Sequence, residues 1–465
     1  MVVRSNQQGE SADSTWLYRR ILPQRVLTVT FMVVLLGATL LYYTDVALLF
    51  RIPTLTLKGQ SQQQTSNNLS THSAADVLQS LPRVSAVNCS LLWTGDKLEL
   101  QKAQHSQANR TRKAKTTSEY RRATWDCGRY LQNGGFNLSS VSEEELSFPL
   151  AFSLLVYRDA DQMERLLRAI YRPHNVYCIH VDLKSDLDFR TSIELMASCL
   201  QNVFVSPVSV DVVWARFTNV EPEILCMRHS WRQKVKWRYF INLTGQEFPL
   251  KTNKELVRIL KAYHGANDVG GIRDPPIFRW RWQRFSPAPY NLTIYKGSVH
   301  VAVSREFVDY VLNTRVGKTL LEWERPVMHP DESYFNTLNN NPQLGVPGSA
   351  TVNHTSNQHA AYFSRLKIWG SEKDKYGGCK GKFVRDICHF GVGDLPLLTK
   401  SPQLFANKFS YDHQPLSYDC LEEWYFHKVE LEDAGNPPPL NVSLYEQSPM
   451  VKYRYTGPVK NSVMN

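Results

Sequence analysis

From about Phe148 the chain alternates between buried-strand and helical patterning. FPLAFSLLVY (148–157) is an almost unbroken apolar run, the mark of a strand covered on both faces. DADQMERLLRAIY follows, with Met163, Leu166, Leu167 and Ile170 at helical spacing and Asp161 with Glu164 in a capping-box arrangement. VYCIHVD reads as a second buried strand ending in Asp182, and NVFVSP and KWRYFINL as two more. After INLTGQEFPLKTN a helix is predicted to open at Thr252, with Glu255 completing its capping box and Leu256, Ile259, Leu260 and Tyr263 on one face. Strand–helix–strand alternation predicts an α/β sheet that takes its ligands at the carboxyl ends of the strands. Residues 433–465 lose the pattern and read as a loose tail.

Upstream the pattern is different. Val26–Tyr43 is a run of 18 residues without a charge, preceded by Arg4, Arg19, Arg20 and Arg25 and followed by Asp45. That is about the shortest run that spans a bilayer, and its basic flank belongs in the cytosol. A cleaved leader fits less well, because 25 residues precede the apolar run and no A-x-A-like site follows it. So short a span suits the thin membranes of the early secretory pathway. Residues 52–80 are rich in Ser, Thr and Gln and read as a flexible stem. The basic stretch 97–122 reads as a solvated helix or linker, with sulfated luminal glycans as the functional alternative. The expected organisation is a cytoplasmic tail (1–25), one transmembrane anchor (26–43), a luminal stem (44–122), a catalytic domain (123–432) and the tail (433–465).

Composition agrees with one large domain: 465 residues, 42% hydrophobic and 11% aromatic. A formal charge of +11 points to an anionic partner, and a luminal body excludes nucleic acid as that partner. Sequons at Asn68, Asn88, Asn109, Asn137, Asn291, Asn353 and Asn441 agree with a lumen-facing chain; an eighth, Asn242, looks like a strand-end residue. The eight cysteines, Cys89, Cys127, Cys178, Cys199, Cys226, Cys379, Cys388 and Cys420, contain no C-x-x-C pair, which favours disulfides over zinc.

An anchored luminal α/β domain suits an enzyme that uses sugar nucleotides. Two Asp-x-Asp pairs, Asp159/Asp161 and Asp186/Asp188, could hold a metal for a diphosphate, but both stand before helices, where a short carboxylate is an ordinary cap. Without a metal, cations must neutralise the leaving group. Arginine offers planar bidentate recognition and lysine a compact charge, which makes Arg385 and Lys408 candidates beside their reading as surface basic residues. His329-Pro330-Asp331-Glu332 reads on its own as an ordinary helix start.

LLRAIYRPHNVYCIHVD, WRYFINLTGQEFPLKTN, SREFVDYVL, HPDES, FVRDICHFGVGDL and LFANKF, spread over about residues 85–430, together resemble the β-1,6-N-acetylglucosaminyltransferases that form mucin core 2 and I-antigen branches. The resemblance implies a GT-A-like glycosyltransferase fold with a Rossmann-like nucleotide half, acting without a metal or other cofactor. The implied reaction is inverting transfer of GlcNAc from UDP-GlcNAc to the 6-hydroxyl of Gal or GalNAc in O-glycans, by a type II Golgi membrane protein. The implied partners are that donor, a glycoprotein O-glycan and the Golgi membrane, with a homo-oligomer left open. Residue by residue, Glu332 becomes the general base, Arg385 and Lys408 the diphosphate clamps and Asp182 a uridine contact. Trp214 falls where the family has an acceptor-stacking tyrosine, with a core tryptophan as the competing reading. The implied disulfides are Cys89–Cys420, Cys127–Cys199, Cys178–Cys226 and Cys379–Cys388, and Thr244 stands where core 2 enzymes carry a free cysteine. Two departures stand out: His329 replaces a serine, and residues 265–285 become rich in Trp and Arg, with Gly270 in place of an acceptor-binding glutamate. Protein O-xylosyl transfer is the near alternative, and a catalytically silent luminal glycan-binding protein the alternative outside enzymes.

Overall fold

The computed structural model describes residues 84–107, 112–136, 141–351, 362–372 and 376–458. The predicted anchor and the sequons Asn68, Asn109, Asn137 and Asn353 lie outside the described residues. The strands in chain order are β1 (Leu150–Val156), β2 (Val176–Val181), β3 (Val203–Val205), β4 (Tyr239–Thr244), β5 (Glu247–Pro249), β6 (Ile272–Arg273), β7 (Tyr295–Lys296), β8 (Ala302–Ser304), β9 (Arg365–Leu366), β10 (Lys382–Val384), β11 (Ile387–His389) and β12 (Phe405–Asn407).

The main sheet has the order β3-β2-β1-β4-β8, parallel except for β8. Its strands read as continuous apolar runs because helices cover both faces. Leu150, Phe152 and Leu154 join one core with Leu166, Leu167 and Ile170 of the helix Ala160–Ile170 and with Leu256, Ile259 and Leu260 of the helix Asn253–Ala262. Ala151 and Phe240 face the other way, into a core with Ile224, Met227 and Phe307. Thr252 caps its helix through the expected box with Glu255. The cap of the first helix lies two residues before the expected one: Asp159 accepts from Gln162 N, while Asp161 and Glu164 turn to Arg112, Lys115, Tyr120 and Tyr130.

A second sheet, β5-β12-β9, pairs β12 antiparallel to β5 and parallel to β9, and β10–β11 form a hairpin. All four disulfides form as the resemblance implies, and no cysteine is free.

Two boundaries move. The folded body begins well before residue 123: Cys89 is bonded to Cys420, Val87, Leu92 and Ala103 are buried in the core of the second sheet, and Trp93 Nε1 donates to Cys420 O at 2.9 Å. The basic stretch is only partly solvated, because the Arg112 side chain is half-buried and donates to Asp159 Oδ2 at 2.7 Å and to Asp161 Oδ2 at 3.2 Å. Nor are the residues after Asp433 loose as far as they are described. Val442–Glu446 and Pro449–Lys452 are helical and bury Tyr445, Met450 and Val451, and the Tyr445 hydroxyl donates to Pro402 O at 2.6 Å. A few large side chains anchor this segment without any regular period, which is why patterning missed it.

Candidate active site

β1 lies between β2 and β4, so its crossovers leave in opposite directions and a crevice opens at the carboxyl ends of these strands. The residues beyond those ends line a cavity of about 390 Å³ that contains Asp182, Trp214, Glu332 and Lys408. A larger open groove of about 630 Å³ lies at the opposite end of β4. Of its lining residues, Arg258 and Lys261 are already paired with Glu144, and His264 with Glu446.

On one side of the cavity Asp182 follows β2, buried, with its Oδ1 accepting from Lys184 N at 2.9 Å. Lys408 follows β12 and is half-buried. Burial lowers its pKa, Arg158 and Arg385 lower it further, and Glu247 opposes them. Arg385 is exposed at the tip of the β10–β11 hairpin, outside the cavity lining but within electrostatic reach of Lys408. The hairpin turn is tight, and Arg385 and Asp386 take φ of 50° and 64°. Cys379–Cys388 ties this hairpin to the chain preceding it, and Cys388 N donates to Ile368 O at 2.9 Å.

On the other side Glu332 closes a single 3-10 turn, Pro330–Glu332, entered through His329 at φ 56°. Arg281 donates to Glu332 Oε2 at 2.6 Å and Lys296 stands 3.7 Å from the same oxygen. Burial would raise this carboxyl's pKa, but Lys296 and Arg281 outweigh it and hold the group below the usual carboxylate range. Oε1 has no protein partner among the described residues, so a substrate hydroxyl can reach it. The neighbouring Asp331 is pushed up to about 7, by burial first and then by the charge on Glu332.

Trp214 is 74% exposed, which excludes a core role. Its ring meets His329 edge to face, with centroids 4.7 Å apart, and Trp280, 48% exposed, stands 6.5 Å from the same imidazole at 88°. His329 therefore separates two accessible tryptophan rings beside Glu332. Gly270 lies under the Tyr362 ring, 3.6 Å from where a Cβ would sit.

Sequence reasoning missed Arg281, Lys296, Trp280, Arg158 and Lys367. The Trp- and Arg-rich character of 265–285 was visible, but the pairing of Arg281 with Glu332 joins residues 51 apart and has no local signal. It also missed Glu247, which is fully buried. Arg365 Nε donates to its Oε2 at 2.6 Å, while Asn407 at 2.9 Å and Thr244 at 3.2 Å take its Oε1. The first carboxylate of each Asp-x-Asp pair serves as a cap, Asp159 on Gln162 N and Asp186 on Phe189 N, while Asp161 accepts from Arg112.

A family model described as Core-2/I-Branching enzyme matches residues 150–398. An N-acetyllactosaminide beta-1,6-N-acetylglucosaminyl-transferase of Mus musculus is 38% identical over 317 residues, which cover 64% of this chain and 77% of the relative. The human enzyme of that name is 35% identical over 317 residues, with the same coverage of 64% and 77%. A human Beta-1,3-galactosyl-O-glycosyl-glycoprotein beta-1,6-N-acetylglucosaminyltransferase is 34% identical over 370 residues, 74% of this chain and 86% of the relative.

Proposed function

This chain belongs to the Core-2/I-branching enzyme family, and from that membership we propose that it transfers GlcNAc from UDP-GlcNAc to the 6-hydroxyl of a Gal or GalNAc residue in an O-glycan, with inversion. The observation that carries the reading is one cavity with a carboxylate on one wall and cations on the other. Glu332, held ionised by Arg281 and Lys296, faces the acceptor side; Lys408 lines the donor side, backed by Arg385.

The acceptor hydroxyl gives its proton to Glu332 Oε1 as its oxygen attacks the anomeric carbon. The bond from that carbon to the diphosphate oxygen breaks, and UDP leaves with the electron pair. Lys408 and Arg385 neutralise the charge that develops on it, as fixed cations do best when water is excluded. Asp182 contacts the uridine, and Trp214 lies against the acceptor sugar. The charge balance is met by side chains, so a metal is not needed. The catalytic domain is luminal, in the Golgi, carried on an amino-terminal anchor as a single-pass type II protein. The relatives named above all carry out β-1,6-N-acetylglucosaminyl transfer by name, which favours GlcNAc over xylose as the transferred sugar.

The test is a glycan acceptor screen of the full-length protein with UDP-GlcNAc, with linkage analysis of the product. A β-1,6 branch, retained in chelator and reduced about 10²- to 10⁴-fold by Glu332→Gln, is expected. Turnover that stops in chelator and returns with manganese refutes the metal-free reading. Transfer unchanged in Glu332→Gln refutes the base assignment.

A further inference from the structure

The cavity holds a cation that nothing above uses. Lys367 follows β9 directly, as Lys408 follows β12, and β9 and β12 are parallel neighbours. Their register pairs Phe405 with Arg365 and Ala406 with Leu366, so its extension sets Lys367 opposite Asn407, one residue short of Lys408. Two lysines thus leave the carboxyl ends of strands about 4.8 Å apart, and both line the cavity that also contains Glu332 and Asp182.

The face that Lys367 shares with Arg365 offers it no ion pair. The nearby carboxylate on that face is Glu247, and both its oxygens are engaged, Oε2 by Arg365 and Oε1 by Asn407 and Thr244. Among the described residues Lys367 has no carboxylate at ion-pair distance, and its ammonium lies 4.8 Å over the Trp369 ring. A half-buried ammonium without an ion-pair partner is costly to keep unless something anionic visits it. Burial lowers its pKa to about 8, with Lys408 and Lys296 adding to that and Glu332 and Glu247 opposing it.

The segment is also well anchored. Trp369 bridges to Ile387, Cys388 N donates to Ile368 O at 2.9 Å and Gly370 N to Asp386 O at 3.0 Å. The chain carrying Lys367 is therefore zipped to the hairpin that carries Arg385, and Phe390 N, leaving that hairpin, donates to Lys408 O at 2.9 Å. Lys408, Lys367 and Arg385 thus sit on three mutually neighbouring backbone segments.

We propose that Lys367 is a third cation on the leaving diphosphate, acting beside Lys408 and Arg385 and held over the ring of Trp369. It extends the donor reading above and rests on it. A diphosphate spreads its charge over several oxygens, and three cations on adjacent segments can neutralise that spread where two leave part of it unpaired. Glu332 and Lys408 both act on the Lys367 ammonium, the carboxylate favouring its charge and the lysine opposing it, so the acceptor and donor sides of the cavity meet at this residue.

The test compares UDP with uridine, a probe without the phosphates, on the full-length wild type, Lys367→Met and Lys367→Arg, using calorimetry for UDP and ligand-observed NMR for uridine. For Lys367→Met, UDP affinity is expected to fall about ten- to a hundredfold, the size of a lost charged hydrogen bond, with uridine binding unchanged; Lys367→Arg is expected to recover most of the loss. UDP bound by Lys367→Met as tightly as by the wild type overturns the proposal. So does a parallel loss of UDP and uridine, which is the mark of a purely structural lysine. Wild-type protein that binds neither probe refutes the donor reading itself.

Discussion

Arg281 donates to Glu332 Oε2 at 2.6 Å, so the carboxylate chosen as base is already half engaged before an acceptor arrives. The pair keeps Glu332 ionised at the cost of proton affinity, because Arg281 and Lys296 together outweigh the burial that would raise it. Removing Arg281 must therefore raise the carboxyl's pKa. In Arg281→Met the acidic limb of the kcat/KM profile should move to higher pH, with Arg281→Lys falling between. Stability follows the same sign. A carboxyl held low in the folded state stabilises the protein above its unfolded pKa, and that contribution is lost as pH falls through the folded pKa. The Tm deficit of Arg281→Met should then shrink in acid. An acidic limb that stays where it was would show that the pair does not set basicity.

Trp214 and Trp280 offer accessible rings on either side of His329. An indole face matches the apolar face of a galactose ring, and a contact of the size found between aromatic rings contributes about 0.5–1.5 kcal/mol. Trp214→Ala and Trp280→Ala should each raise the acceptor KM about two- to tenfold and leave UDP affinity unchanged. Equal loss of UDP binding would place these rings outside the acceptor site.

How much of this was legible varies with the range of each interaction. The strands, Thr252 with its Glu255 box and the order of the chemistry-bearing motifs are local, and the residues announce them. Asp182, Glu332 and Lys408 line one cavity, and Arg385 stands just beyond it. The Arg281–Glu332 and Arg365–Glu247 pairs are separated by 51 and 118 residues, and no periodicity encodes such pairs. Arg112 reads as part of a solvated basic stretch because its partners Asp159 and Asp161 lie on a distant helix start. The two end segments misled for one reason: Cys89, Trp93, Tyr445 and Val451 are isolated anchors, and isolated anchors leave no period.

The disulfides at the two ends of the scale should behave differently. Cys89–Cys420 closes a separation of 331 residues and holds the helix Cys89–Thr94 on the body, whereas Cys379–Cys388 closes 9. Loop-closure entropy favours the long bridge, and loss of a native disulfide costs about 2–5 kcal/mol. Cys89→Ser with Cys420→Ser should lower Tm by several degrees. Cys379→Ser with Cys388→Ser should lower it less and weaken UDP binding more, since that bridge secures the hairpin that carries Arg385. Thermal melts and UDP titration of both double variants separate the two roles, and a larger melt shift for the short bridge would contradict the argument.

Asn242 and Asn291 both carry the glycosylation signal, but only one can be reached. Asn242 is 6% exposed within β4, its amide donating to Val299 O at 2.8 Å and accepting from Val301 N at 2.7 Å. A glycan there would break both bonds and open the main sheet beside its antiparallel edge strand. Asn291 is exposed, at the end of a short 3-10 turn. The third residue of each signal permits a test that leaves the asparagine in place. For protein made in a secretory pathway, Thr293→Ala should remove one endoglycosidase-sensitive step in gel mobility, and Thr244→Ala should remove none. A mobility step lost in Thr244→Ala would mean that Asn242 is modified before the sheet closes, and that β4 is not buried in the finished protein as described.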